Sequence, residues 1–549
     1  MLEAFIIGLD FGTESARGVL ISLASGKQVD FAVAPYVHAT LTDQLPDGTP
    51  IKGRMFLQVP NDYLLAAEQL LNRLGRDRQV VSIGLDFTAS SPLPADISGA
   101  AIADQLPAEP HAYVKLWKHS AQSHATGLLD SNPVVAARFG GRLSGEWFLA
   151  KALELSIDAP EIFARTDRFI EAGDWLVWQL TRNELRSRDF AAYKAQHDPV
   201  AGYPGELAED FMAKFGPVAD VGTSAGQMTA DWLAKTGILG SPAVAVAVID
   251  SHAVLPAVDD GAPGTLVGAL GTSAAYLYLS DDFSVLPAGV EGVAFDAALP
   301  GLWCYEAGQA AFGDILAWFA RSFPKGDDLE ASFSAYNNEA AGIEPGTFPL
   351  LALDWWNGNR VPHSDSLLSG LLLGLTLQSS AACIYRSLME SLCYGTRSVI
   401  ALFEDEGMKV ERLVITSGLA DRNPLLVQIL ADVTGRPLTI PQIDNATCVG
   451  AAIHGAVAGE VVKDFREGFA RFGARQARTI TPRPQYAGVY DAIYDQYCAL
   501  SADTRIHEAM HVLRSVASAH KGQASSPHIN REVLPSRASD RPSQRDKVF

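Results

Sequence analysis

Apolar runs and short polar turns alternate from the start of the chain. Phe5-Ile-Ile-Gly-Leu-Asp10 is apolar up to its closing acid, Gly12-Thr13-Glu14-Ser15 is small and polar, and Gly18-Val-Leu-Ile21 is apolar again. This predicts a β-hairpin with an acid at the end of its first strand. The pattern recurs at Gly264-Thr-Leu-Val-Gly-Ala-Leu-Gly-Thr-Ser-Ala-Ala-Tyr-Leu-Tyr-Leu-Ser280, where Gly271-Thr272 matches Gly12-Thr13. Each hairpin opens a stretch in which strand and helix signals alternate. Val80 to Asp86 reads as a buried strand, Glu146 to Leu155 as a helix, and Phe169 to Leu180 as a turn and a helix with Asp174 as N-cap. Past the second hairpin the pattern predicts a helix over 379–404, a strand over 412–416, a helix over 424–434, a strand from Gly435 and a small-residue helix over 450–458. Together these give an α/β fold of two related domains, 1–260 and 261–517. From Ser518 to Phe549, Ser, Arg, Pro, Gln and Asp replace the periodicity, as in a disordered tail.

The turns bear on chemistry. Small residues, hydroxyls and backbone N–H groups suit anionic oxygens, and two such turns facing each other would cradle a nucleoside triphosphate. Asp10 is placed to hold Mg²⁺, directly or through water. Asp250 closes the apolar run Val244 to Ile249 and precedes Ser251-His252. An acid at the carboxyl edge of a buried strand stands where α/β sheets present ligands. Phosphoryl transfer to an alcohol needs one acceptor that orients the hydroxyl and takes its proton. Asp86-Phe-Thr-Ala-Ser-Ser91 offers small and hydroxyl residues to a polyol. Trp303 to Asp314 carries Glu306 and Gln309 beside aromatic residues, a set suited to a sugar, and Lys194 could bind a sugar oxygen or a phosphate.

Composition narrows the field. The 549 residues are 48% apolar and 19% charged, enough for two large cores, and the formal net charge is −20. Such acidity argues against a nucleic-acid or anionic-membrane partner. The five cysteines include no Cys-x-x-Cys pair, which fits a reducing cytoplasm. Ser241 to His252, the most membrane-like stretch, is short and ends in Asp and His, as a buried strand would. The P-loop, dinucleotide and zincin motifs are absent, so a nucleotide enzyme here uses another scaffold.

Several segments, in order, resemble the FGGY family of carbohydrate kinases, and within it the branch that phosphorylates ribulose. They are Gly8 to Arg17, Asp86 to Ser91, Val114-Lys-Leu-Trp-Lys-His119, Gly141 to Trp147, Ile170 to Trp178, Ile249 to His252, Leu353 to Arg360 and Ile415 to Asn423. The resemblance implies two ribonuclease-H-like domains of the actin-type ATPase kind flanking an ATP and sugar cleft. It implies phosphorylation of a ketopentose by ATP with Mg²⁺, and a homodimer. By it, Asp250 is the catalytic base and Asp10 the metal-associated acid. Ala89, Lys194, Asp250 and Glu306 are sugar contacts, Thr13, Gly271 and Thr272 hold phosphates, and Gly418 and Asn423 lie on the adenosine side. L-ribulose is the favoured substrate, with D-ribulose, xylulose and ribitol-type polyols as alternatives. Trp117-Lys118-His119 departs from the Trp-x-Asp of many relatives and fits ribulose better than glycerol or xylulose. Ser417-Gly418 departs from the frequent Gly-Gly. An ATP-driven conformational switch on the same fold is the alternative from another class, but it has no need of Asp250 and the Glu306 cluster.

Overall fold

The two hairpins form as expected, Ala4–Phe11 with Ser15–Ser22 and Thr265–Leu270 with Ala274–Ser280, and each founds a sheet. The structure is a computed structural model that describes residues 3–129, 143–200, 202–204, 209–416 and 418–523. The first sheet runs in the order Ser224–Gln227, Ala243–Ala245, Gln79–Phe87, Ala4–Phe11, Ser15–Ser22, Gln28–Pro35, with Val248–Ile249 also on Gln79–Phe87. The second runs Ala477–Ile480, Leu438–Pro441, Arg412–Thr416, Thr265–Leu270, Ala274–Ser280, Trp303–Gln309, Gly292–Phe295.

The two orders superimpose strand for strand. In each, three consecutive strands are antiparallel, the first of them lies parallel to a later strand, a second parallel strand follows, and an antiparallel strand closes the side. Parallel pairs require crossovers, and helices supply them. This is the duplicated ribonuclease-H-like arrangement of an actin-type ATPase. Gly292–Phe295 in the second sheet and Val248–Ile249 in the first lack a counterpart among the described strands.

Strands buried on both faces read as near-continuous apolar runs. Ile7 and Leu9 face a core with Leu70, Leu85 and Trp175, while Ile6 faces another with Val19, Ala452 and Ile453. The helix Ala446–Ala458 belongs in sequence to the second lobe but packs on strands of the first. The contact is backbone to backbone. A Cβ on Gly8 would fall 1.8 Å from the carbonyl oxygen of Cys448, and one on Gly84 1.8 Å from that of Ala451.

Three local expectations are corrected. Asp174 lies inside the first turn of Ala172–Thr181 and does not cap it; its carboxylate accepts the Ser187 N–H at 2.9 Å. The apolar run before Asp250 splits into two short strands, Ala243–Ala245 and Val248–Ile249. A second unit begins at Ala502, and its helix Thr504–Gln523 continues past Ser518, where composition places the tail. Residues 524–549 lie outside the described residues, as do Gly141 and Arg142 of one quoted segment. No described helix is long and apolar enough to cross a membrane.

Candidate active site

Three acids meet at the carboxyl ends of neighbouring parallel strands. Asp10 pairs in register with Asp86, and Asp86 with Val248, two residues before Asp250. Arg17 stands opposite Asp10 across the hairpin. Burial raises the Asp10 carboxyl, and Asp86 and Arg17 partly offset this. Burial, then the charge of Asp10, lifts Asp250 to about 6, while the Ser251 N–H at 2.7 Å and the His252 charge pull it back. Asp86 is fully buried and neither of its oxygens meets a donor. Burial, Asp10 and Asp250 push its pKa well above the carboxylate range, and the protonated acid is the form that can hydrogen-bond Asp10.

A second cluster joins the two lobes. The seven-residue helix Arg188–Lys194 presents Lys194 to Glu306, on the strand Trp303–Gln309 of the second sheet, at 3.0 Å. Burial works against the Lys194 charge, but Glu306 outweighs it and holds the ammonium above its usual range. Burial likewise works against the Glu306 charge, but Lys194 and His252 keep its pKa far below the usual range. Glu306 is therefore a fixed acceptor and Lys194 a fixed donor, as hydroxyl and carbonyl groups of a sugar require.

The loop that carries Ala89 is held from behind. Ser90 adopts a left-handed backbone, φ 61°, which a residue with a Cβ keeps only under support. Lys151 supplies it by donating to the Ser90 carbonyl at 2.5 Å and the Leu116 carbonyl at 2.8 Å, and Glu171 accepts the Ser91 N–H at 2.8 Å. Burial lowers Lys151 to about 7 and raises Glu171 to about 7. The Gly12-Thr13 turn is tied to the same region, since the Trp117 indole donates to the Thr13 hydroxyl at 3.0 Å. In the second turn, the Gly271 carbonyl accepts the Gly313 N–H at 2.9 Å and the Thr272 carbonyl accepts the Phe312 N–H at 2.7 Å. Both residues remain exposed.

Not every candidate joins the site. Gln309 is buried among Tyr276, Thr396 and Asp354, with all its polar atoms used there, and belongs to the core of the second lobe. Asn423 caps the helix Pro424–Thr434, its carbonyl accepting the Leu426 N–H at 3.1 Å. Gly418 is exposed and opens the short helix Gly418–Arg422; Ser417 lies outside the described residues. Sequence reading missed Asp86, Asp189, Lys151 and Glu171. Only Asp86 carried a signal, an acid ending a buried strand as Asp10 does.

Comparisons with known proteins place the chain among relatives. Residues 266–459 match the model described as "FGGY family of carbohydrate kinases, C-terminal domain". A ribulokinase of Geobacillus thermodenitrificans is 35% identical over 536 residues, covering 91% of this chain and 94% of its own. One of Mycolicibacterium smegmatis is 37% identical over 529 residues, covering 90% and 93%. Among solved structures, xylulose kinase from Rhodospirillum rubrum superimposes with a TM-score of 0.77 at 22% identity, over 92% of this chain and 100% of that one. Plasmodium falciparum glycerol kinase with ADP gives 0.75 at 13% identity, over 91% and 99%. The structural likenesses bear on the fold. With duplicated sheets, strand-end acids and relatives this similar along nearly their whole lengths, the chain belongs to the FGGY family of carbohydrate kinases, on its ribulokinase branch.

Proposed function

We propose that this kinase transfers the terminal phosphoryl group of ATP to the terminal hydroxyl of ribulose, L-ribulose in preference to D-ribulose, giving ribulose 5-phosphate. The observation that carries the reading is the stance of Asp250, a half-buried acid of raised pKa between the Asp10 strand end and the lobe-bridging Lys194–Glu306 pair. The names of the similar ribulokinases support the choice of sugar.

In this reading Lys194, Glu306 and the Ala89 loop hold the ketopentose, and Asp250 accepts the proton of its terminal hydroxyl as the new O–P bond forms. Thr13, Gly271 and Thr272 offer backbone and hydroxyl groups to the phosphates, and Gly418 lies toward the adenosine. The donor set also fits Mg²⁺. Asp10 is a hard oxygen ligand with the protonated Asp86 behind it, and among the described residues no three His, Cys, Asp or Glu side chains enclose a metal by themselves. That suits an ion which keeps waters and phosphate oxygens in its shell. Bound beside Asp10, Mg²⁺ would neutralise phosphate charge during transfer.

The test is ADP release from MgATP with L-ribulose, D-ribulose, L- and D-xylulose, ribitol and glycerol, with Asp250→Asn as control. Turnover with ribulose that falls about 10²–10⁴-fold in the variant is expected. Turnover confined to another polyol would move the substrate, and an undiminished kcat in Asp250→Asn would remove the base assignment.

A further inference from the structure

His252 is fully buried and carries a carboxylate oxygen on each ring nitrogen: Asp189 Oδ1 lies 2.6 Å from Nδ1, and Glu306 Oε1 lies 3.0 Å from Nε2. Carboxylates only accept, so both nitrogens donate and the ring is an imidazolium. The remaining oxygens of the two acids are also engaged. Asp189 Oδ2 accepts the Ile249 N–H at 2.8 Å, one residue before Asp250, and Glu306 Oε2 faces Lys194 at 3.0 Å. The contacts close into a ring because Asp189 and Lys194 sit on the same helix, Arg188–Lys194. Tyr193 pins that helix to the second sheet, its hydroxyl donating to the Cys304 carbonyl at 2.5 Å, and its ring meets the imidazole edge-on at 4.7 Å.

We propose that Asp189 and His252 are positioning residues that lock Asp250 and Glu306, which come from different lobes, into one frame before substrate arrives. The proposal rests on the assignment of Asp250 and Glu306 made above. Two carboxylates and two cations, Asp189 and Glu306 with His252 and Lys194, balance within a buried cluster, the condition under which buried charges persist. Burial opposes the imidazolium, but Asp189 and Glu306 raise its pKa to about 9. The other titratable groups facing it are Asp250 and, from the helix Ala446–Ala458, His454, which burial and the His252 charge hold neutral, its pKa lowered to about 3. Without the imidazolium, Glu306 would answer to Lys194 alone. Without Asp189, the backbone at Ile249 would lose the bond that sets the approach to Asp250.

Asp189→Asn and His252→Gln are compared with wild type and with Asp250→Asn in ribulose-dependent ADP release. Histidine ¹⁵N NMR of the intact protein at mildly alkaline pH follows the ring. Each single variant is expected to lose about 10²-fold in kcat/KM for the sugar, the scale of an ångström-sized misplacement, with the KM for ATP unchanged. The double variant is expected to lose no more than the worse single. The wild-type ring is expected to show two N–H signals, and Asp189→Asn is expected to lose one. Wild-type kinetics in both singles beside an inactive Asp250→Asn would overturn the frame and leave the base assignment standing. Losses that multiply independently, or a neutral ring in the wild type, would overturn it as well. An active Asp250→Asn would sink the base assignment first and the frame with it. If Asp189→Asn fails to fold, His252→Gln, which leaves the Asp189 bond to Ile249 in place, carries the same comparison.

Discussion

Asp250 owes its basicity to its surroundings. An ordinary aspartate titrates near about 3.9; burial and the charge of Asp10 raise this one to about 6. Below that pH the acid carries a proton and cannot take another, so kcat/KM for the sugar should fall on the acid side with an apparent pKa near 6. A pH–rate profile checks this, and an acid limb at the ordinary aspartate value would detach the limb from Asp250. Asp10, Asp250, Lys194 and Glu306 stood out in the sequence as candidates because each is a charge set against apolar or aromatic neighbours. Asp189 was not, since its partner His252 stands 63 residues away and only the folded chain brings them together. Gln309 misled for the opposite reason. It shares a strand and an aromatic neighbourhood with Glu306, yet it is hydrogen-bonded inward to Tyr276 and Asp354.

Elements were easier to read than the residues that anchor them. Arg412–Thr416 and Pro424–Thr434 form at the boundaries that apolar spacing predicts, and the hairpins form around their Gly-Thr turns. Short connecting helices such as Arg188–Lys194 leave no periodic trace, because seven residues make barely two turns. Asn423 has a place in an element beside its candidacy as a contact on the adenosine side. Its carbonyl already accepts the Leu426 N–H. Asn423→Ala is expected to cost about 1 kcal/mol in a urea titration, as loss of an N-cap does, with the KM for ATP unchanged. A large rise in that KM with unaltered stability would return Asn423 to the adenosine side as a direct contact.

At the scale of the whole molecule, a helix of the second lobe lies on strands of the first so closely that Gly8 and Gly84 have no room for a side chain beneath it. Gly84→Ala would set a Cβ 1.8 Å from the Ala451 carbonyl and 2.7 Å from the Gly455 nitrogen. Backbone, not a pliable side chain, would have to move, so a loss of about 1–3 kcal/mol or more is expected on unfolding in urea. A neutral result would show that the joint between the lobes yields. The duplication itself was visible as a recurring hairpin; the strands that break the symmetry were not, since Gly292–Phe295 is only four residues long and Val248–Ile249 only two. In the first sheet Gln28–Pro35 is an edge strand among the described residues. In the second, the equivalent strand is flanked by Gly292–Phe295, with Gly292 opposite Glu306 and the Glu291 N–H donating to the Glu306 carbonyl at 2.8 Å. A strand at a free edge can slip along its neighbour, and a slip of one residue turns every side chain to the opposite face. The extra strand moves that hazard outward: Trp303–Gln309, which carries Glu306, is paired on both sides and held in register, and Gly292–Phe295 takes the edge.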